Sequence, residues 1–247
     1  MTSTSAPTTT GLIRDRSRNV PAGIALLAAA GFFLLAETIS AAAWNHPAYS
    51  YANDFVSDLG VPGSHVVFGG HLIDSPLAWL LDAGFVVNGL LVALAAALIL
   101  RPHGEGRMAR WQMRLFAGFG LGLTTAAFLH ESPAWMLPLH ALGATLAMGG
   151  GNIAILLTGL LAASLGLPTW LARTFMALGA MGLASFLLVQ VLALDRTTLP
   201  HGIGALERGA AYPVLATEIL VGVSLLIESL RLRHRALPDR AAATVAA

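Results

Sequence analysis

The chain has 247 residues, 56% of them hydrophobic and only 11% charged, with a mean hydropathy of +0.72. A soluble domain carries about 25% charged residues, so this composition excludes an ordinary soluble domain, and a net charge of +1 argues against a nucleic-acid partner. Cysteine is absent, so no disulfide staples a loop, and any metal site must use His, Asp or Glu.

Residues 1–20 are Ser/Thr-rich and end in Arg14, Arg16 and Arg18, which predicts a disordered tail with a basic flank. Pro21 sits where a first helical turn tolerates proline. Ala22 to Ala43 then forms an apolar run long enough to cross about 30 Å of hydrocarbon. Ala41-Ala42-Ala43 resembles a signal-peptidase site, but the run exceeds the roughly 7–15 residues of a signal core, and an uncleaved anchor is expected. Tyr49 to Pro76 is the longest polar interruption. It holds Asp54, Asp58, Asp74, His65 and His71 and no Lys or Arg. Asp74-Ser75-Pro76 then reads as a helix start, with cap residues followed by proline.

Further spans are predicted at Leu77–Leu100, Leu115–His130, Leu139–Ala163, Thr174–Leu194 and Ala211–Leu230. In the fourth, Gly143, Ala147 and Gly151 recur every four residues, which permits close helix approach. Gly118-Phe119-Gly120-Leu121-Gly122 looks like a nucleotide loop but lies inside an apolar span after no strand, so the match is accidental. No internal repeat supports an inverted-repeat transporter. The expected fold is an all-α polytopic bundle of six transmembrane helices over residues 21–230, with an outer loop at 44–76. A basic cytoplasmic tail follows at 231–247. With both termini cytoplasmic, twelve of the fourteen arginines lie inside and two, Arg196 and Arg208, lie outside. The bilayer is thus the first expected partner, and the plasma membrane the expected location.

The opposite face collects the remaining chemistry. His46, His65, His71, His130, His140 and His201 fall there, with Asp54, Asp58, Asp74, Glu131, Asp195 and Glu207. Glu37, Asp82 and Glu218 lie in the outer half of their spans, and Asn88 near a span centre. Intramembrane acids cost about 2.5–3.5 kcal/mol or more unless satisfied, so a shared outward polar pocket is expected. Each has a plainer reading: Glu37 reaching headgroup water, Asp82 near a positive helix end, Glu218 paired with Arg208 or Asn152, and Glu228 paired with Arg231. Asn53 to Gly60 suits a compact turn, with Ser57 and Asp58 opening a short helix. Arg208, unfavourable near a helix start, needs a partner such as Asp58, Glu131 or Glu37. His130 and His140 flank one short turn and, with Asp58 or Glu131, are weak metal candidates. No cofactor is implied.

Asn53-x-x-x-Ser57-Asp58-Leu59-Gly60 followed by Ser75-Pro76 resembles the prokaryotic membrane family known as domain of unknown function 998. Glu131, His140-Ala-Leu-Gly143, Gly204-x-x-Glu207-Arg208 and Tyr212-Pro213 agree in order, so the likeness spans Pro21 to Leu230. Leu129-His130-Glu131 departs from the Pro-Glu ending of that family. The resemblance implies a six-helix integral membrane protein, and remote kinship to lipid-linked membrane families suggests a lipid ligand.

Three functions remain open from the residues. The first is a non-enzymatic membrane protein whose outward pocket binds a small molecule or lipid headgroup through Asn53, Ser57, Asp58, His140, Glu207 and Arg208, with Glu218 beneath. The second is an intramembrane lipid hydrolase with a metal on His130, His140 and one carboxylate. The third is a proton-coupled transporter relaying through Glu218, Asp82 and Glu37.

Overall fold

The computed structural model describes residues 16–44, 46–68, 70–100, 107–163, 167–193 and 199–245, without the side chains of residues 16, 17, 64, 65, 109 and 234–245. Most of the expected N-terminal tail lies outside these residues, as do Arg101, Asp195, Arg196 and the side chain of His65.

Among the described residues, seven helices form the bundle: α1 (Arg16–Ala43), α2 (Ala78–Leu100), α3 (Arg107–Phe128), α4 (Leu137–Ala144), α5 (Gly150–Leu160), α6 (Thr169–Leu192) and α7 (Ile203–Val245). α4 and α5 are one continuous segment joined by a π-turn at Thr145–Gly149. The packing order α1–α2–α3–α4/α5–α6–α7 returns to α1, so six antiparallel segments close a ring. One end carries every described arginine except Arg208; the other carries residues 46–76 and is called the loop end below.

Five segments are long and apolar enough to cross a membrane: 18–43, 78–100, 137–160, 169–192 and 203–233. α3 matches them in length, but Arg107, Arg110, Gln112 and Arg114 lower the apolar content of its first half. Its second half packs by backbone contact. A Cβ on Gly122 would lie 2.5 Å from Gly143 O and 2.6 Å from Ala147 N, and one on Gly120 would lie 2.8 Å from Gly89 O. The Gly143/Ala147/Gly151 stripe faces α3, as its spacing predicts.

Several sequence-based boundaries are corrected. The chain is not all-α: β1 (Gly63–Phe68) and β2 (His71–Ser75) pair antiparallel, with Phe68 opposite His71 and an irregularity between Ser64 and Val66. Asp74 and Ser75 therefore belong to a strand and do not cap α2. Ser75 Oγ instead donates to Leu59 O, and α2 opens at Ala78. Residues 16–20, expected in the disordered tail, begin α1, which continues through Pro21 because one missing N–H removes one bond near a helix start. α7 begins at Ile203, eight residues before the expected span, so Glu207 and Arg208 lie inside it. Ser57–Gly60 does form a short 3₁₀ turn, as expected, and all four residues are buried.

Candidate site at the loop end

The N-terminus of α7 organises this end. A helix start leaves backbone N–H groups without partners, and here the 50–54 loop supplies them. Asn53 Oδ1 accepts from Gly202 N at 3.0 Å, and Ala52 O accepts from Ala205 N at 2.9 Å. The loop lies so close that a Cβ on Gly204 would collide with Asp54 O.

Arg208 clamps the arrangement from the second turn. Its Nε donates to Glu37 Oε1 of α1 at 3.0 Å. Nη1 donates to Tyr51 O at 2.7 Å, Asp54 O at 3.0 Å and Gly204 O at 3.1 Å, and Nη2 donates to the Tyr49 hydroxyl. The guanidinium also lies 4.7 Å from the Tyr51 ring centre and 5.5 Å from that of Tyr49. Burial raises the Tyr49 phenol well above its ordinary value against the opposing pull of Arg208. It therefore stays protonated and donates to Phe55 O at 2.8 Å. Tyr212 donates to both oxygens of Glu37, at 3.0 and 3.1 Å. Glu37 is 1% exposed, so it does not reach headgroup water. Of the three carboxylates expected to pair with Arg208, Glu37 is the one it meets.

One residue earlier, Glu207 accepts from Val56 N and from Ser57 Oγ, the latter at 3.1 Å. It thereby satisfies the start of the 3₁₀ turn across the chain. Asp58 Oδ2 accepts from Phe55 N at 2.9 Å, a backbone donor, while Oδ1 is buried without a partner. Burial first, then the neighbouring charges of Glu131 and Glu207, push the Asp58 carboxyl well above its usual range.

His140 lies on α4, facing this cluster. Its Nε2 meets Glu131 Oε1 at 2.9 Å and its Nδ1 meets Leu129 O at 2.8 Å. Burial works against ionising Glu131, but the His140 charge and hydrogen bond prevail and hold it down to about 2. Both ring nitrogens of His140 thus face acceptors, and the ring donates from each as an imidazolium. His130 meets a different acid, Asp82 Oδ2, at 3.4 Å. No three His, Asp or Glu side chains among the described residues converge on a point that would hold a metal. The His130/His140/carboxylate site needed by a metallohydrolase is therefore not formed.

The structure brings Asn53, Ser57, Asp58, His140, Glu207 and Arg208 to one end. It does not bring Glu218 there. Glu218 Oε2 accepts from Asn88 Nδ2 at 2.9 Å in the middle of the bundle, so its partner is neither Arg208 nor Asn152. Nor do Glu37, Asp82 and Glu218 share a pocket, since each has a separate partner. Glu228 and Arg231 do form the expected helix-end pair, at 3.6 Å. Sequence reasoning missed Tyr49 and Tyr51. The available signal was Arg208, one of two arginines on the arginine-poor face, with two tyrosines in the outer loop at 44–76, since a guanidinium stacks on aromatic rings.

Beneath the polar cluster lies a cavity of about 60 Å³. Ser57, His140 and Glu207 line its loop end, Phe85, Phe119 and Leu123 its walls, and Asn88 its deep end. Asn88 Oδ1 is buried and has no partner.

A ring of apolar helices with a polar cluster at one end defines a multi-pass helical membrane protein. The chain belongs to the family described as Protein of unknown function (DUF998), which it matches over residues 26–224. Neither a curated protein nor a solved structure matches it.

Proposed function

We propose that this is a six-span plasma-membrane protein with both termini in the cytoplasm, and that its loop-end cavity binds a small molecule or a lipid headgroup. The observation carrying the binding assignment is the cavity of about 60 Å³ between Ser57, His140, Glu207 and the unpaired Asn88 Oδ1. An acceptor buried without a partner costs about 1–3 kcal/mol, and a bound donor in this space relieves it. Arg208 and Asn53 have a different role. Their hydrogen-bonding groups go to the protein itself, so they hold the loop over the cavity and do not contact the ligand.

The sixth span rests on α3. Beyond Arg114 its outward face presents Leu121 and Phe128, 60% and 66% exposed. Trp111 to Phe128 covers about 27 Å at 1.5 Å per residue. Four exposed tryptophans support the same placement. Trp79 and Trp135 lie towards the loop end and Trp111 and Trp170 towards the arginine end, where aromatic side chains favour the two membrane interfaces.

Native mass spectrometry of the full chain, released from membranes, tests the binding assignment. Wild type is expected to retain a small molecule or lipid that denaturation releases. Ala144→Leu and Ala211→Leu, which fill the cavity from two helices, are expected to lose it while keeping the wild-type melting temperature. Equal content in wild type and both folded variants, or no retained molecule in wild type, overturns the assignment.

A further inference from the structure

A second cavity, of about 110 Å³, occupies the arginine-end half of the bundle. Leu100 at the end of α2, Gln112 near the start of α3 and Leu167 just before α6 place it there, and Glu218 lines its deep end. The Asn88–Glu218 hydrogen bond lies between the two cavities, with Asn88 lining one and Glu218 the other.

The walls are hydrocarbon, including Val92, Ile99, Phe116, Ile155 and Phe175. Against them stand two buried oxygens without partners, Glu218 Oε1 and Gln112 Oε1, in side chains 3% and 1% exposed. Local polar groups do not serve them. The Thr158 and Thr217 hydroxyls donate to their own helix carbonyls, Ala154 O at 2.9 Å and Pro213 O at 2.8 Å. Gln112 Nε2 donates to Thr158 Oγ1. An apolar space of this kind stays dry when empty, and one of about 150 Å³ admits benzene. Two bare oxygens in such a space set a further demand, which a pure hydrocarbon does not meet.

We propose that this cavity is a binding site for a small apolar molecule carrying one N–H or O–H group, an amine or an alcohol. Its hydrocarbon body would fill the space between α2, α5 and α7, and its polar hydrogen would go to Glu218 Oε1 or Gln112 Oε1. The site shares no hydrogen-bonding residue with the loop-end cavity, so either assignment stands or fails without the other.

Cyclopentylamine, cyclopentanol and methylcyclopentane have six heavy atoms each and share one ring, on which the substituent is a charged ammonium, a neutral hydroxyl or a methyl. Each is titrated into detergent-solubilised full-length protein, with the δ1-methyl NMR signals of Ile99 and Ile155 as the readout. The amine or the alcohol is expected to give saturable shifts with a Kd about tenfold below that of methylcyclopentane, the effect of one hydrogen bond to a buried acceptor. An amine advantage over the alcohol assigns recognition to the Glu218 charge; equal affinity assigns it to a neutral hydrogen bond. Glu218→Leu or Gln112→Leu is expected to reduce the tenfold preference. Ala95→Leu, which fills the cavity without touching either oxygen, is expected to abolish all shifts. Absence of saturable shifts with any compound overturns the proposal. So does equal affinity for all three, or a preference surviving in both Glu218→Leu and Gln112→Leu.

Discussion

At the scale of single residues, the loop end depends on charges that differ in kind. Arg208 and Glu37 form a buried ion pair, and removing one partner of such a pair costs about 3–5 kcal/mol because the other is left uncompensated. Arg208→Ala is therefore expected to lower the melting temperature of the purified protein and its accumulation in membranes. Arg208→Lys should rescue little, because one ammonium cannot reach Glu37, Tyr49 Oη and three carbonyls together. Unchanged melting in Arg208→Ala would remove the clamp from the account. Asp58 behaves oppositely, since burial pushes its carboxyl up. A carboxyl raised in the folded state favours folding below its unfolded pKa, and that contribution is lost as pH rises towards the folded value. Asp58→Asn keeps an acceptor for Phe55 N and has no proton to lose. It is expected to melt near wild type below the unfolded value of about 3.9 and to gain on wild type as pH rises above it. Asp58→Ala leaves Phe55 N–H unpaired and should cost about 1–3 kcal/mol at every pH. Thermal melts of the three proteins across pH check the sign. Glu131 adds the acidic limb. Its carboxyl is held down to about 2, so its contribution is full above the unfolded value and is lost as pH falls towards 2.

At the scale of elements, what was legible in the chain followed period and charge. The apolar runs and the arginine clusters located five helices and the end of α3, but not its start, because Arg107, Arg110 and Arg114 read as a loop and lie inside the helix; the spacing of Gly143, Ala147 and Gly151 marked the face that α3 covers. Gly122→Ala puts a methyl 2.5 Å from Gly143 O. Overpacking of this kind costs about 1–3 kcal/mol, measurable as a lower melting temperature, whereas Gly118→Ala, with open space around its Cβ, is expected to be neutral or better. The β1–β2 hairpin was overlooked although Val66-Val67-Phe68 and Leu72-Ile73 flank Gly69-Gly70, a two-residue hairpin signal. Asp, His and Gly residues on both sides made this stretch read as a polar loop without regular structure. The start of α7 was placed late for a related reason. Glu207 and Arg208 look like loop residues, and only the partners they meet from α1 and residues 49–57 make them tolerable inside a helix. The acids of the candidate site were found by position, but their pairing was not, because Glu37–Arg208 and His140–Glu131 depend on which helices are neighbours in the ring.

At the scale of the molecule, the open quantity is how the ring sits in the bilayer, and the absence of cysteine makes it directly measurable. Any single introduced thiol is the sole target of a maleimide. Four positions separate the alternatives: Val67, 70% exposed on the hairpin; Leu121, 60% exposed on the outward face of α3; and Arg107 and Arg233, exposed at the arginine end. If arginine marks the cytoplasmic face, a charged, membrane-impermeant maleimide should label Val67→Cys on intact cells. Arg107→Cys and Arg233→Cys should be labelled only after permeabilisation. The decisive position is Leu121, which in a six-span bundle faces acyl chains, where a thiol has little thiolate and meets no aqueous reagent. Leu121→Cys should therefore resist labelling both before and after permeabilisation, yet react once the protein is denatured in detergent. Rapid labelling of Leu121→Cys in native membranes would mean that α3 packs against the other helices outside the hydrocarbon. The arginine-end cavity, which α3 helps to wall through Gln112 and Phe116, would then be reached from water and not from lipid. Labelling of Arg233→Cys on intact cells would instead reverse the whole orientation and turn the loop-end cavity towards the cytoplasm.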